Sequence, residues 1–147
     1  MNNTSFAWLA GLFASTLSLS ALASDGHEKF VNNCSGCHGL EAEGIPGLAP
    51  ALNNPDLWNK LGAKRNEYIA GVVTGGLSGK LKSKGNDYDG LVMPPQDFIE
   101  TADLVDITRY VINDVNKVDG APDATLINQL KSAPKSHEDL HKLRNGG

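Results

Sequence analysis

A run of five residues, Cys34-Ser35-Gly36-Cys37-His38, constrains this chain more than any other feature of its sequence. The pattern C-x-x-C-H is typical of c-type haem attachment. Two thiols three positions apart on a helical turn face the same side, so both can form thioethers with the two vinyl groups of haem. The following residue then presents its imidazole to the iron as the proximal ligand. We therefore expect one haem c attached through Cys34 and Cys37, with His38 as a metal ligand.

The cysteine pair also has three interpretations that involve no haem. A redox-active dithiol would need a βαβ context, and the sequence gives no pattern for one. A structural disulfide across so short a loop would restrict the unfolded chain very little. A zinc site would need a second pair of ligands, and the nearest candidates, His137 and His141, lie far along the chain.

A second axial ligand follows from counting methionines. The chain has two, Met1 and Met93, and removal of a leader would leave Met93 alone. Pro94 and Pro95 follow it, stiffen the backbone and restrict Met93 to extended angles. We predict Met93 as the distal ligand, because electron-carrying c-type haems use a His/Met pair. Two alternatives stay open: a packing role for Met93, and ligation by another histidine (His27, His137 or His141).

The amino terminus has the pattern of an export signal. An uncharged apolar run from Phe6 to Ala23 ends in Ala21-Leu22-Ala23, which predicts cleavage after Ala23. We therefore expect a signal peptide over residues 1–23, a periplasmic location and no stable membrane insertion after cleavage. No Lys or Arg precedes the run, so an uncleaved membrane anchor stays open as the alternative.

Composition excludes several other classes of protein. Hydrophobic residues make up 40% of the 147 residues and charged residues 20%, and the net charge is -4. This balance excludes a disordered acidic chain, a collagen-like repeat and a polytopic membrane protein. The sequence pI of about 5.5 argues against nucleic acid as a partner.

Hydrophobic periodicity predicts a helical chain. Apolar spacing and start signals favour four core helices: residues 25–33, a helix from Pro55, residues 66–73, and a helix from Thr101 with Leu104, Ile107 and Val111 inward. Glycine and proline mark residues 39–54 and 75–90 as loops, apart from a hairpin between Gly79 and Gly90. We expect a haem domain over residues 24–117 and an extension over residues 118–147 that is helical or partly disordered.

Several motifs together resemble one family. Gly26, Phe30 and Cys34 recur at four-residue steps, as in the first helix of that family. Pro50-Ala51-Leu52 follows His38 at the family spacing, residues 85–95 match its methionine loop, and residues 103–111 match its last helix. Over residues 25–116 the chain therefore resembles the class I cytochromes c, which are small electron carriers. The resemblance implies an all-α fold of helices packed around one covalently bound haem.

The resemblance also implies roles for single residues. Gly26 would allow the first and last core helices to approach closely, and Phe30 would pack against Ile107 and Tyr110. The carbonyl of Pro50 would hold the imidazole of His38, which would orient the ring and tune its basicity.

We further expect a haem pocket of apolar and aromatic side chains, namely Phe30, Leu48, Leu52, Trp58, Ile69, Ile107 and Tyr110. Candidate donors to the haem propionates are Trp58, Arg65, Tyr88, and Asn53 or Asn54. Trp58 and Tyr88 as plain core residues, and Arg65 as a surface charge, are the alternatives.

With both axial positions filled, the iron can gain or lose one electron but cannot readily bind a substrate. We therefore expect a monomeric electron-transfer protein, not an enzyme. Its partners would be redox proteins: a periplasmic dehydrogenase as donor, of which it would be an electron-accepting subunit or carrier, and a terminal oxidase as acceptor. The alternatives are a haem enzyme or gas sensor with a labile Met93, and a thiol–disulfide oxidoreductase if no haem is attached.

Overall fold

The structure is a computed structural model that describes residues 26–146. Its helices are α1 (Gly26–Asn33), α2 (Ser35–His38), α3 (Pro55–Leu61), a 3₁₀ turn (Gly62–Lys64), α4 (Arg65–Gly75), α5 (Thr101–Arg109), which continues as a π-helical segment (Tyr110–Val115), α6 (Ala124–Ser132) and α7 (His137–Asn145). The predicted signal peptide over residues 1–23 lies outside the described residues. Among the described residues, no helix is both long enough and apolar enough to span a bilayer.

Helices α1 and α5 pack against each other, as the family resemblance implied. The contact depends on Gly26, where a Cβ atom would lie 2.6 Å from the carbonyl oxygen of Asp106. One turn later, the buried ring of Phe30 lies 5.4 Å from that of Tyr110. Lys29 Nζ adds an ion pair of 2.8 Å to Asp106. These contacts hold the helix that leads into the cysteine motif against the core.

Helix α3 begins where the sequence predicts, because its first turn is well capped. The side chain of Asn54 accepts a hydrogen bond from the Leu57 amide at 3.3 Å, and Pro55 occupies a first-turn position that needs no amide hydrogen. Trp58 and Leu61 face the core. Helix α4 follows through the 3₁₀ turn and buries Tyr68 and Ile69, among others.

The segment between α4 and α5 contains two antiparallel strand pairs. Strands β2 (Leu81–Ser83) and β3 (Asn86–Tyr88) form the predicted hairpin, and its turn residues Lys84 and Gly85 have positive φ angles of 49° and 82°. The second pair, β1 (Leu77–Ser78) with β4 (Val92–Met93), corrects the prediction of plain loop. Two-residue strands are too short to produce an alternating pattern in the sequence.

The carboxyl-terminal segment is helical and packed on the core. Helix α6 contacts α4 and α5, and α7 contacts α4, α3 and β1. Ile127, Leu130 and Leu140 from these helices are buried. Asp123 caps α6 and Ser136 caps α7 through their side chains, as residues of these types often do.

The two histidines of α7 are hydrogen-bonded to Ser78 of strand β1. His137 Nδ1 lies 2.5 Å from the hydroxyl of Ser78, and His141 Nε2 donates to the Ser78 carbonyl at 2.7 Å. Helix α7 therefore packs beside β1, a contact that the sequence did not reveal.

Candidate haem site

The cysteine motif forms a tight turn between α1 and α2. The Cys34 amide donates to the Phe30 carbonyl at 2.7 Å, and the His38 amide donates to the Cys34 carbonyl at 3.0 Å. Both thiols are free. Cys34, Cys37 and His38 all line one cavity that extends into the core.

The acidity of Cys34 bears on the interpretation of the pair as a redox-active dithiol. Burial, and secondarily the neighbouring Cys37, raise the pKa of the Cys34 thiol to about 11. Catalytic dithiols instead need a thiol whose pKa is lowered toward neutrality. The structure does not support a zinc site either, since residues 26–146 contain no group of three or more His, Cys, Asp or Glu side chains that could hold a metal ion.

The imidazole of His38 is buried and fixed by one hydrogen bond. Its Nδ1 lies 2.9 Å from the Pro50 carbonyl oxygen, so Nδ1–H donates and the lone pair of Nε2 remains available to a metal. Burial lowers the pKa of His38, although the bond to Pro50 opposes this shift. The neutral ring that results is the form that binds iron.

The loop after His38 brings Pro50 back to the ring. The Gly44 amide donates to the His38 carbonyl at 2.7 Å, and Ile45 and Ala49 form an antiparallel bridge. Gly44 has a φ angle of 77°, and a Cβ there would overlap the Ala51 amide nitrogen. The loop therefore folds in this way only because position 44 has no side chain.

Met93 lines the same cavity from strand β4. Its partner strand β1 directly follows α4, and Leu77 lies opposite Met93 in the register. Gly76 precedes that strand with a φ angle of 74°, and a Cβ there would lie 2.5 Å from the Met93 carbonyl oxygen. After Met93, the Gln96 amide donates to the Val73 carbonyl at 2.8 Å. Strand pairing at Met93 and the hydrogen bond from Gln96 thus hold the methionine segment against the carboxyl-terminal end of α4.

Apolar side chains form most of the cavity wall. They include Phe30, Leu48, Leu52, Trp58, Ile69 and Ile107, which sequence analysis placed there. Tyr110 is the exception, because it packs behind Phe30 and against His27 instead of lining the cavity. Pro50 and Tyr88 also lie in the wall.

The match to known proteins agrees with this geometry. The family model described as cytochrome c matches residues 23–113. The chain belongs to the cytochrome c family. This cytochrome c is 31% identical over 126 residues to a cytochrome c-552 of Thermus thermophilus, an alignment that covers 84% of this chain and 78% of the relative. A second Thermus thermophilus protein with the same name is 30% identical over 118 residues, covering 79% and 82% respectively.

As a cytochrome c, the protein is a monohaem electron carrier that binds haem c covalently through Cys34 and Cys37. The cavity fits that group chemically. Two free thiols and a neutral imidazole open onto a space whose walls are otherwise mainly apolar.

The predicted propionate donors are mostly occupied elsewhere in this cytochrome c. Trp58 Nε1 donates to the Leu52 carbonyl at 2.7 Å, so its contribution to the cavity is an apolar surface. Arg65 donates to the carbonyls of Trp58 and Asp119 at 3.3 and 2.5 Å and does not line the cavity. Asn53 and Asn54 do not line the cavity either. Among the candidates, only Tyr88 both lines the cavity and has no side-chain hydrogen bond within the described part of the chain.

Two residues of this cytochrome c were missed by sequence reasoning. Buried Asn116 accepts from the Asn54 amide at 2.8 Å and donates to the Leu52 carbonyl at 2.9 Å, which anchors the loop beside the haem cavity. Arg144 of α7 lines the cavity itself. Its only sequence signal is the spacing of four from Leu140, which puts both residues on one helical face.

Proposed function

We propose that this cytochrome is a periplasmic carrier of single electrons whose haem iron is held between His38 Nε2 and the thioether sulfur of Met93. The observation that carries the ligand assignment is that Met93 lines the same cavity as the C-x-x-C-H motif. His/Met ligation is the arrangement of electron-carrying c-type haems. Haem c supplies a metal that takes up and releases one electron.

The other histidines are poorly placed to compete with Met93. Of the four histidines in the chain, His38 alone lines the cavity. His27 lies on α1 with its ring 5.1 Å from that of Tyr110. His137 and His141 are hydrogen-bonded to Ser78.

The protein's own residues prepare the site for rapid electron transfer with little rearrangement. The Pro50 carbonyl fixes the ring of His38, and the β1–β4 pair and the bond from Gln96 to Val73 hold the strand of Met93. Apolar side chains exclude water from the cavity, which disfavours the more highly charged ferric state. A thioether ligand acts in the same direction, so we expect a positive reduction potential.

We also propose that the protein is exported and exchanges electrons with periplasmic partners. The uncharged run from Phe6 to Ala23 supports export with cleavage after Ala23. Amino-terminal sequencing of the mature protein should begin at Ser24, and an intact Met1 would contradict cleavage. In that compartment the carrier would accept electrons from a periplasmic dehydrogenase and deliver them to a terminal oxidase.

The ligand assignment is tested with Met93→Ala in protein matured with covalent haem. We expect the variant to lose the weak far-red absorption band of the ferric protein and to have a lower reduction potential, because a weak-field or solvent ligand replaces the thioether. Phe98→Ala is the matched control, since it lies in the same segment between α4 and α5 with a side chain that is 75% exposed and does not line the cavity. A far-red band that persists in Met93→Ala would overturn the assignment.

The same preparation separates an electron carrier from a haem enzyme or gas sensor. A carrier with a stable Met93 ligand should bind carbon monoxide only in the Met93→Ala variant. Ready binding by the unmodified ferrous protein would favour the alternative with a labile methionine.

A further inference from the structure

Helix α7 sends one charged side chain into the haem cavity. Arg144 is 8% exposed, and it is the residue of α7 that lines the cavity. It comes from the segment after residue 113, where the match to the family model ends. Arg144 therefore belongs to a segment that the family model does not match.

The contacts of Arg144 are neutral. One guanidinium nitrogen donates to the Tyr68 hydroxyl at 3.1 Å, and another donates to the Lys82 carbonyl at 3.0 Å. The guanidinium carbon lies 5.9 Å from the centre of the Tyr68 ring. Among residues 26–146, no carboxylate forms an ion pair with it. A buried cation without an anion is costly, so its position points to an anionic ligand.

The cavity wall contains one cation and no anion. Of all the residues that line it in the described part of the chain, only Arg144 is a lysine or arginine, and none is an aspartate or glutamate. The two propionates are the anionic groups of haem. A guanidinium fork matches a carboxylate better than any other side chain does.

We propose that Arg144 is the counter-ion of a haem propionate, so that the carboxyl-terminal segment completes the haem site. The inference rests on the covalent haem and is independent of the ligand assignment of Met93. Arg144 would be a positioning residue: it would keep the propionate ionised and would place a positive charge in the haem cavity. That charge favours the state that has gained an electron.

The test measures the reduction potential of the matured protein as a function of pH. We expect Arg144→Gln to have a potential shifted downward at alkaline pH, together with a steeper dependence on pH near neutrality. Without the guanidinium, the desolvated propionate takes up a proton more easily and titrates within the measured range. Arg144→Lys keeps the charge and should lie between Arg144→Gln and the wild type.

Arg65→Gln is the matched control. Like Arg144, Arg65 donates two hydrogen bonds to neutral oxygens, in this case main-chain carbonyls, but it does not line the cavity. We expect its potential and pH profile to match those of the wild type. Equal shifts in Arg65→Gln and Arg144→Gln would mean that only net charge matters, and would overturn the proposal.

Other titratable groups near Arg144 are common to all these proteins. Tyr68 ionises only at strongly alkaline pH, because burial raises its pKa. The Lys82–Asp87 pair is exposed, and His137 and His141 are bonded to Ser78. Loss of Arg144 removes interactions that lower the pKa of Tyr68, so Tyr68 titrates still further from neutrality in Arg144→Gln and does not produce a pH dependence there.

A measurement on the wild-type protein covers the case in which Arg144→Gln does not fold. In nuclear magnetic resonance spectra, we expect slowly exchanging guanidinium protons of Arg144 with cross-peaks to the propionate methylene protons. Absence of these cross-peaks would overturn the proposal. The far-red band should persist in every Arg144 variant, so failure here is distinguishable from failure of the Met93 assignment.

Discussion

Gly26 shows how a single residue sets the distance between two elements. It lies where α1 crosses α5, and any side chain there would meet both the Asp106 carbonyl and the Tyr110 Cβ. Since α1 leads directly into Cys34, the position of the haem attachment depends on this close approach.

Gly26→Ala should therefore destabilise the protein by about 1–3 kcal/mol, as overpacking of a tight contact usually does. Denaturant unfolding followed by circular dichroism measures the change. Gly75→Ala is the matched control, because it is also a helical glycine but its Cβ would meet its nearest neighbours at 3.5 Å, an ordinary contact. A Gly26→Ala variant as stable as Gly75→Ala would show that the helices can separate without cost.

The proposed ligand residues could be named from the sequence because their chemistry is local. The spacing of Cys34, Cys37 and His38 shows in five consecutive residues, and Met93 follows from counting methionines. Arg144 and Asn116 could not be predicted, because each acts on partners more than 60 positions away. Nothing in the local sequence distinguishes a buried arginine from one in solvent.

Among the elements, α7 packs on α4 through Leu140, in addition to the hydrogen bond from Arg144 to Tyr68. The Leu140 side chain is 0% exposed, and a Cβ at Gly71 would lie 2.6 Å from its Cδ2. The leucine thus fills the space that a glycine leaves on α4. The same helix places His141 on β1 and Arg144 in the cavity, so its docking affects both.

Leu140→Ala should lower the free energy of unfolding by about 2–5 kcal/mol, the usual cost of a cavity in a tightly packed site. Chemical denaturation is again the measurement. Leu40→Ala removes the same atoms from a side chain that is 59% exposed, so we expect it to change stability by less than about 0.5 kcal/mol. Equal effects of the two changes would contradict the packing role of Leu140.

Longer elements were easier to predict than short ones. Helices α3, α4 and α5 lie close to where apolar spacing and Pro55 placed them. The β1–β4 pair and the docking of α6 and α7 were not predicted, because they depend on contacts between distant segments. Ser136 with Asp139 three positions later is a capping pattern, but capping indicates only where a helix begins and not what it packs against.

At the scale of the whole molecule, a haem in the cavity would complete the hydrophobic core. The side chains that line the cavity come from α1 through α5, the strands and α7. Without a body between them, these apolar surfaces would have to face water or collapse onto each other. A chain of this size buries too little other apolar surface to compensate easily.

The double variant Cys34→Ala/Cys37→Ala should therefore lose much of its helical circular dichroism signal and its cooperative thermal transition. It is compared with the wild-type protein matured in the same host, which has covalent haem. A colourless double variant that keeps the wild-type helical signal and melts cooperatively would show that the polypeptide folds without its prosthetic group.

The close contact between Gly76 and the Met93 carbonyl has a consequence for recognising other proteins of this kind. A search with the C-x-x-C-H pattern alone selects c-type haem proteins in general, because the pattern carries no information about the second axial ligand. A glycine 17 positions before a Met-Pro pair would identify chains that support the methionine on the same backbone scaffold. Genome searches that require both signatures would therefore select for a shared backbone support of the methionine strand and not merely for attachment chemistry.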